Sequence, residues 1–175
     1  MSNRIRIAIS SCLLGHAVRY DGGHRYEQHL TDTLARFCEL VPVCPEVDCG
    51  LPVPRETMHL VEAPERPHLL TIDSRLDHTG QMLAWSREQI EELEEENLHG
   101  YIGKSHSPSC GLENVAVMAA DGTYHKTGTG LFALELKKHF PELPMAEECQ
   151  LHNPKLLDKF IKDVFAYRRH THQHP

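Results

Sequence analysis

The first regular element is Arg4-Ile5-Arg6-Ile7-Ala8-Ile9-Ser10-Ser11-Cys12-Leu13-Leu14-Gly15, an Ile-rich run that ends in small residues around a cysteine. Polar and apolar residues alternate from Arg4 to Ser10, which predicts a β-strand. Ser11 and Gly15 beside Cys12 are typical of a turn. We therefore expect the Cys12 thiol just beyond the carboxyl end of the first strand.

A helix and a second strand are expected next. Leu30, Leu34 and Phe37 have the spacing of an amphipathic helix, which we place from about Glu27 to Cys38. Leu40–Val43 is then a short strand. Strand, helix and strand in close succession indicate a βαβ unit with a parallel strand pair. The predicted class is α/β: a three-layer Rossmann-like domain with a mainly parallel central sheet and helices on both faces.

The middle of the chain is expected to hold a long loop followed by a helix. Four prolines lie between Gly50 and Gln81, which favours loop and edge structure, and a loop of this length usually covers a site. Ser86 and Gln89 have the spacing of a capping box, so a helix is expected from Ser86 to Asn97. Further expected elements are strands at 100–104 and 115–119 and a helix at 129–139.

The last element is expected to be a helix with a broad apolar face. Asn153 suits the N-cap and Pro154 the first helical position. Its apolar face either packs on the sheet or meets a second domain. We therefore divide the chain into a catalytic domain, residues 1–150, and a C-terminal helix and tail, residues 151–175, at the junction to such a domain. The histidines of the tail, residues 170–175, are expected to mark a disordered end rather than a metal site.

Composition restricts the class of function. A net charge of −7 argues against broad binding to a nucleic-acid backbone, because such binding neutralises phosphates with Lys and Arg. No apolar stretch reaches the roughly 18 residues of a membrane span, and no signal peptide is apparent at the N-terminus. We expect a cytoplasmic protein without membrane partners. In that reducing compartment, clustered thiols are typical of metal binding or catalysis rather than of disulfides.

Three cysteines each follow a strand-like run. They are Cys12, Cys44 in Val43-Cys44-Pro45-Glu46, and Cys110 in Ser107-Pro108-Ser109-Cys110-Gly111. The carboxyl ends of parallel strands meet at one edge of a sheet, so the three thiols are expected to form a tripod. Such a tripod binds a metal or an iron–sulfur cluster and leaves one coordination position open.

The other cysteines are weaker candidates. Cys49 is a minor candidate for a fourth ligand, because the residues around it suit a turn that presents Glu46. Cys38 and Cys149 are expected to be small buried hydrophobic residues.

Polar residues near the cysteines are candidates for chemistry. Glu46 lies two residues after Cys44 and suits a general acid or base. Ser107 suits a hydrogen bond to substrate, with Ser109 as the second choice, although turn chemistry around Pro108 also accounts for both serines.

A second group suits the rim of a substrate site: Arg19, Tyr20 and Asp21. The structural alternative is that Arg19 forms an ion pair with Asp21 or another acid.

Three separated motifs, in this order, resemble the thiouracil desulfurase family, also called domain of unknown function 523. They are residues 11–22, residues 43–55 and residues 104–111, and the resemblance covers about residues 4–147. It implies a [4Fe-4S] cluster held by Cys12, Cys44 and Cys110, with the fourth iron free to bind the sulfur of a thiolated uracil. Water then attacks the carbon and hydrosulfide leaves without net redox change. The resemblance also implies that Glu46 is the acid/base group and that Ser107 contacts substrate.

Residues 160–169 resemble the junction of two-domain relatives associated with removing sulfur from thiouridine in transfer RNA. Free thiouracil or thiouridine is therefore the expected small-molecule substrate, with transfer RNA as a substrate of a longer parent protein. Two other hypotheses remain open at this stage. One is a zinc-binding or redox-sensing thiol module without catalysis. The other is an enzyme that uses Cys110 as a nucleophile and His106 as its base.

Overall fold

Eight strands, six α-helices and one 3-10 turn make up the regular structure of residues 4–171, which are the residues described by the computed structural model of the protein. In chain order the elements are β1 (Ile5–Ser10), a 3-10 turn (Ser11–Leu14), α1 (Gln28–Leu34), β2 (Cys38–Val43), α2 (Pro45–Asp48), β3 (Met58–Val61), β4 (His68–Thr71), α3 (Thr79–Glu95), β5 (Gly100–Gly103), β6 (Val115–Met118), β7 (Tyr124–Gly128), α4 (Leu131–His139), β8 (Met145–Glu147), α5 (Glu148–Leu151) and α6 (Pro154–Thr171). The prediction for the histidine tail falls largely on residues 172–175, outside the described residues.

The strands form two four-stranded sheets. The first has the order β2-β1-β5-β8, and all of its neighbouring strands are parallel. The second has the order β4-β3-β6-β7, with a parallel central pair and antiparallel edge pairs. The predicted α/β class with a mainly parallel sheet is confirmed, whereas the second sheet was not predicted. Within the described part of the chain, no helix combines the length and apolar character needed to cross a membrane.

The parallel sheet is covered by helices on both faces because its central strand is apolar on both sides. On one face Ile5, Ile7 and Ile9 pack with residues of α1 and α6. On the other face Ala8 and Tyr101 pack with residues of α3 and α4. Full burial of an Ile or Leu side chain contributes about 1.5–3 kcal/mol, so these two clusters fix the layers on the sheet.

The predicted helix boundary at Cys38 is wrong, because α1 ends at Leu34. Cys38 instead opens β2, where it pairs with Ile5 of β1. Its thiol donates a hydrogen bond to the Leu34 carbonyl oxygen at 2.9 Å, which links the helix end to the start of the strand. Cys38 therefore belongs to the strand and not to the preceding helix, because β2 pairs with β1 along the whole length of β1.

The predicted long loop at 50–81 is also wrong. It contains the hairpin of β3 and β4, and β3 extends the second sheet through β6. The four prolines of this region all lie outside the strands, at positions 52, 54, 64 and 67. They mark where the strands begin and end, and do not exclude strands from the whole region.

Helix α3 begins at Thr79, seven residues before the predicted start at Ser86. Asp77 Oδ1 accepts a hydrogen bond from the Thr79 amide at 2.9 Å, and Thr79 Oγ1 accepts one from the Leu69 amide at 2.8 Å. These bonds tie the helix start to β4. Ser86 is fully buried inside the helix, so the capping box predicted for it does not exist.

Helix α6 packs on the sheet through the centre of its apolar face. Asn153 is the predicted N-cap, since its Oδ1 accepts a hydrogen bond from the Lys155 amide at 3.0 Å. Phe160 and Val164 are buried in the same cluster as β1. By contrast, Leu156 is 44% exposed. Phe160 and Val164 are therefore the buried centre of this face, Leu157 and Ile161 pack beside them while partly buried, and Leu156 contributes little.

This anchoring gives a direct stability test. We expect Phe160→Ala to lower the free energy of unfolding by about 3–5 kcal/mol, because it removes a buried aromatic side chain and leaves a cavity. Urea unfolding followed by circular dichroism measures the change. Leu156→Ala, on the same helix, is the control and is expected to cost about 0.5 kcal/mol. Equal losses in the two variants would contradict the packing described here.

Candidate active site

A cavity of about 330 Å³ lies at the carboxyl edge of the parallel sheet. It is lined by the segments that follow β1, β2 and β5, which are neighbours in the sheet. Eight of the nine predicted site residues line it: Cys12, Arg19, Tyr20, Cys44, Glu46, Ser107, Ser109 and Cys110. Asp21 lies outside the lining. Parallel pairing thus brings together residues that are far apart in the sequence.

The three thiols of the cavity come from three strand ends. Cys12 lies in the 3-10 turn after β1, Cys44 directly precedes α2, and Cys110 lies in the turn after β5. Cys12 and Cys110 are buried and Cys44 is half-buried. Among residues 4–171, no group of three His, Cys, Asp or Glu side chains is arranged to hold a metal ion. The three thiols line one cavity, but they are not arranged around a single metal ion.

Burial keeps these thiols protonated in the ligand-free chain. It raises the pKa of Cys12 and that of Cys44 to about 12 in each case. The pKa of Cys110 is raised as well, again chiefly by burial. Electrostatic repulsion from a Cys110 thiolate adds to the shift at both other cysteines. A cationic ligand in the cavity would reverse this balance, because metal binding requires thiolates.

The backbone around Cys110 is closely packed. The Tyr101 hydroxyl donates a hydrogen bond to the Cys110 carbonyl oxygen at 3.0 Å. The start of α4 also binds this backbone, because the Leu131 amide donates a hydrogen bond to the Pro108 carbonyl oxygen at 2.9 Å. Gly130 passes so close that a Cβ there would lie 2.5 Å from the carbonyl carbon of Ser109. The glycine is needed for this close approach.

Glu46 is held from two sides at the cavity wall. Arg55 Nε donates a hydrogen bond to Glu46 Oε2 at 2.7 Å, and Ser109 Oγ donates to Glu46 Oε1 at 3.0 Å. Ser107 Oγ lies 3.1 Å from Ser109 Oγ and accepts a hydrogen bond from the Cys110 amide at 3.0 Å. The side chains of Arg55 and Glu46 are only 6% and 13% exposed. The carboxylate therefore has a fixed orientation beside Cys110.

The rim residues divide into two kinds. Arg19 and Tyr20 line the cavity, and the Arg19 guanidinium carbon lies 5.3 Å from the centre of the Tyr20 ring. Asp21 instead forms an ion pair with Arg19, with 3.4 Å between Oδ1 and Nε. A hydrogen bond from the Gly23 amide lowers the pKa of Asp21. The ion pair considered as the structural alternative is thus present, and Asp21 supports Arg19 from outside the cavity.

Sequence reasoning missed three residues with clear contacts here. Arg55 and Lys104 lie within the second and third motifs, but nothing in their local sequence identifies their partners. Lys104 Nζ donates to Glu148 Oε1 at 2.6 Å. Burial alone would raise the pKa of Glu148, but hydrogen bonds from Lys104 and Ser105 outweigh it and lower that pKa. No local signal identifies Glu148, because its partners lie more than forty residues away in sequence.

The remaining cysteines lie outside the cavity lining. Cys49 donates to the Glu46 carbonyl oxygen at 3.3 Å and packs against the core below the second sheet. Cys38 is buried, as predicted. The prediction for Cys149 is wrong: it is exposed in the first turn of α5, because that turn directs Glu148 and Leu151 inward instead.

The geometry does not favour Cys110 as an activated nucleophile. His106 is an exposed residue of the cavity lining. Instead, Ser109 Oγ lies within hydrogen-bond distance of the Cys110 thiol, 3.7 Å from its Sγ. The raised pKa of Cys110 is also opposite to the lowered pKa of reactive cysteines.

The chain is similar to known proteins in sequence and in fold. The sequence profile of the family described as 2-thiouracil desulfurase matches residues 7–148. The uncharacterized protein YbbK of Bacillus subtilis (strain 168) is 29% identical over 147 residues, which cover 75% of this chain and 89% of that protein. A solved structure described as the [4Fe-4S]-dependent thiouracil desulfidase TudS (DUF523Vcz) superposes with a TM-score of 0.70 and 29% identity, covering 88% of this chain and 96% of that chain.

The contact at Gly130 can be tested by adding a single methyl group. We expect Gly130→Ala to lower the free energy of unfolding by about 1–3 kcal/mol, because the Cβ would overlap the backbone of Ser109 and Cys110. Gly80→Ala is the matched control: Gly80 lies in α3 with no neighbour within 4 Å of an added Cβ. That change is expected to raise stability by about 0.5–1 kcal/mol. Thermal unfolding measures both, and a neutral Gly130→Ala would refute the close approach.

Proposed function

We propose that this chain, which belongs to the 2-thiouracil desulfurase family, removes sulfur from a thiolated uracil with a [4Fe-4S] cluster bound by Cys12, Cys44 and Cys110. The observation that carries the proposal is the meeting of three thiols around one cavity, with Glu46 held in its wall. The similar solved structure is described as a [4Fe-4S]-dependent thiouracil desulfidase.

The residues of the cavity suit such a cluster. Thiolates are the usual ligands of iron–sulfur clusters, and all six cysteines of the chain are free. Positive side chains also line the cavity, namely Arg19, Arg25, Arg55 and Lys104. The charges of Arg19 and Lys104 act to lower the pKa of Cys12, and the charge of Arg55 acts to lower the pKa of Cys44, which favours the thiolate form. These cations offset part of the negative charge that three thiolates bring into the site, since Glu46 and Glu148, the ion-pair partners of Arg55 and Lys104, act in the opposite direction.

The arrangement favours a cluster over a single zinc ion. Zinc binds each sulfur at about 2.3 Å, so its ligands must converge on one point. Thiolates of a four-iron cluster bind separate iron atoms and stand around it. Cys12, Cys44 and Cys110 line one cavity, and among residues 4–171 no group of three such side chains is arranged to hold a single metal ion.

When bound, a cluster with three cysteine ligands supplies an open iron that acts as a soft Lewis acid toward the substrate sulfur. The hydrolysis replaces the sulfur of the C=S group by the oxygen of water and releases hydrosulfide and a proton. No electrons are exchanged. The protein residues therefore need to orient the substrate, position a water molecule and move protons.

Glu46 is the group placed to move those protons. Its Oε1 lies on the side of Ser109, next to Cys110, and its other oxygen is held by Arg55. In this orientation the carboxylate takes a proton from the attacking water and returns it to the pyrimidine or the leaving sulfur. Ser107 contacts both Ser109 and the Cys110 amide, so its hydroxyl has a fixed position from which to contact substrate.

Arg19 and Tyr20 are placed to contact the pyrimidine at the entrance. Tyr20 is 41% exposed and presents an aromatic face on which a base can stack. The substrate class is thus a small thiolated pyrimidine, free or as the nucleoside. We extend this to thiouridine in transfer RNA only for a longer parent protein, in which a second domain follows the catalytic residues 1–150 and the junction 151–175. We place the reaction in the cytoplasm, where the thiols stay reduced.

The cluster ligands can be assigned by single substitutions. After anaerobic reconstitution, we expect about four irons per parent chain, the nuclearity of a cubane cluster. Cys12→Ala, Cys44→Ala and Cys110→Ala are each expected to lose cluster absorbance and hydrosulfide release from 2-thiouracil and 4-thiouridine. Cys49→Ala is the control, because Cys49 does not line the cavity, and it should retain the cluster.

Retained cluster absorbance in any one of the three variants would refute the three-thiol site. A chain in which Cys12→Ala and Cys44→Ala keep full turnover, while Cys110→Ala does not, would instead support the nucleophile hypothesis. Binding of a single zinc ion without turnover would support the thiol module.

The role of Glu46 is tested separately from cluster binding. We expect Glu46→Gln to keep the iron content of the parent and to slow hydrosulfide release by about 10²–10⁴-fold, the usual range for loss of a general acid or base. Glu65→Gln makes the same change at an exposed position and should leave the rate unaltered. Anaerobic single-turnover assays with 4-thiouridine measure the rate. An iron-loaded Glu46→Gln chain with parental turnover would exclude Glu46 as the proton carrier.

A further inference from the structure

We propose that Glu147 and Glu148, two adjacent buried carboxylates outside the cavity, are positioning residues that hold Cys110 in place. They bind the two ends of the turn that carries this cysteine, here called the Cys110 turn, residues 104–113. The inference rests on the proposed function in one respect, namely that Cys110 is a cluster ligand. The contacts themselves do not depend on it.

Glu148 holds the beginning of the Cys110 turn. Its Oε2 accepts a hydrogen bond from the Ser105 amide at 2.7 Å. Its Oε1 accepts hydrogen bonds from Ser105 Oγ at 2.7 Å and from Lys104 Nζ at 2.6 Å. The turn thus starts with one amide, one hydroxyl and one ammonium group bound to a single carboxylate.

Glu147 holds the end of the same turn. Its Oε1 accepts hydrogen bonds from the Leu112 amide at 2.7 Å and the Glu113 amide at 3.2 Å. Its own backbone is fixed by a capping box with Gln150, in which the Glu147 amide donates to Gln150 Oε1 at 3.0 Å. The residue is therefore part of a rigid helix start.

The sheet places the two carboxylates level with the turn. Strand β8 pairs in parallel with β5, and Glu147 lies opposite Gly103, the last residue before the Cys110 turn. Glu147 and Glu148 are only 5% and 4% exposed. A buried carboxylate is costly unless it accepts hydrogen bonds, and most of the bonds that these two accept come from the Cys110 turn. Neither residue lines the cavity, so both act on the site through the turn.

Two adjacent residues, the last of β8 and the first of α5, thus fix both ends of a ten-residue segment. Fixing both ends sets where the Cys110 thiol lies relative to Cys12 and Cys44, which are held by other strands. Replacing either carboxylate by the uncharged amide of Gln weakens its hydrogen bonds to the turn, because charge-assisted bonds are roughly twice as strong as neutral ones, and lets the turn open locally. Such an opening exposes Cys110 and leaves the rest of the fold intact.

The test compares two buried thiols in the same full-length, iron-free chain. Cys110 is 6% exposed and Cys38 is 2% exposed, at the opposite end of the parallel sheet. In Glu147→Gln and Glu148→Gln we expect iodoacetamide to alkylate Cys110 about tenfold faster than in the parent, as local opening of the turn requires. The alkylation rate of Cys38 should stay within about twofold of its rate in the parent chain. Mass spectrometry of the peptides gives both rates.

Glu142→Gln is the control, since Glu142 is an exposed carboxylate shortly before β8, and neither rate should change in it. An equal rise at Cys110 and Cys38 would show that the carboxylates only stabilise the whole fold, and an unchanged Cys110 rate would remove their role altogether. If the Gln variants do not fold, Glu147→Asp and Glu148→Asp take their place, because Asp keeps the charge but has a shorter side chain. They are judged by the ratio of the Cys110 to the Cys38 alkylation rate.

These readings are independent of the proposed function, because the chain contains no iron in this assay. A parent chain that fails to bind iron would overturn the cluster, while the Cys110 to Cys38 ratio would still decide the role of the carboxylates. In the iron-loaded chain, the same variants should release iron to a chelator severalfold faster than Glu142→Gln.

Discussion

Parallel pairing of β1 with β2 on one side and β5 on the other is the interaction on which the site depends. In this register Ser10 lies opposite Val43, and Ile9 lies opposite Ile102, so the residues that follow the three strands emerge at one edge. Cys12, Cys44 and Cys110 belong to those segments. The hydrophobic layers on both faces of β1 stabilise the pairing, because a register shift of one residue would turn its isoleucines away from their helices.

Two buried ion pairs complete the cavity wall in different ways. Arg55 with Glu46 lies in the wall and fixes the group proposed to move protons. Lys104 with Glu148 lies at the beginning of the Cys110 turn and joins it to the start of α5. Breaking a buried pair leaves an unpaired charge, so each pair constrains its neighbours strongly. The rigidity suits the proposed hydrolysis without electron transfer, because that reaction would require a fixed arrangement of metal ligands, water and proton carrier.

The sequence was sufficient for features with a local pattern. The Ile-rich run at 4–10, the small residues around the three cysteines and the position of Glu46 beside Cys44 were all recognisable. Features that depend on contacts between residues far apart in the sequence were not recognisable. Glu148 meets Ser105 across 43 residues, and strand β3 is recognisable as part of a sheet only once β6 pairs with it. The helix start at Thr79 was missed for the same reason, because β4 holds it in place.

We propose that three cysteines of this cavity hold a four-iron cluster and leave one iron open for the sulfur of the substrate. Mössbauer spectroscopy of the anaerobically reconstituted, iron-57-labelled full chain, before and after addition of 2-thiouracil, distinguishes this iron from the other three. We expect one iron of the [4Fe-4S] cluster to change its spectrum on addition of substrate while the three cysteine-bound irons stay unchanged. A spectrum in which all four irons are equivalent and unaffected by 2-thiouracil would refute the open iron.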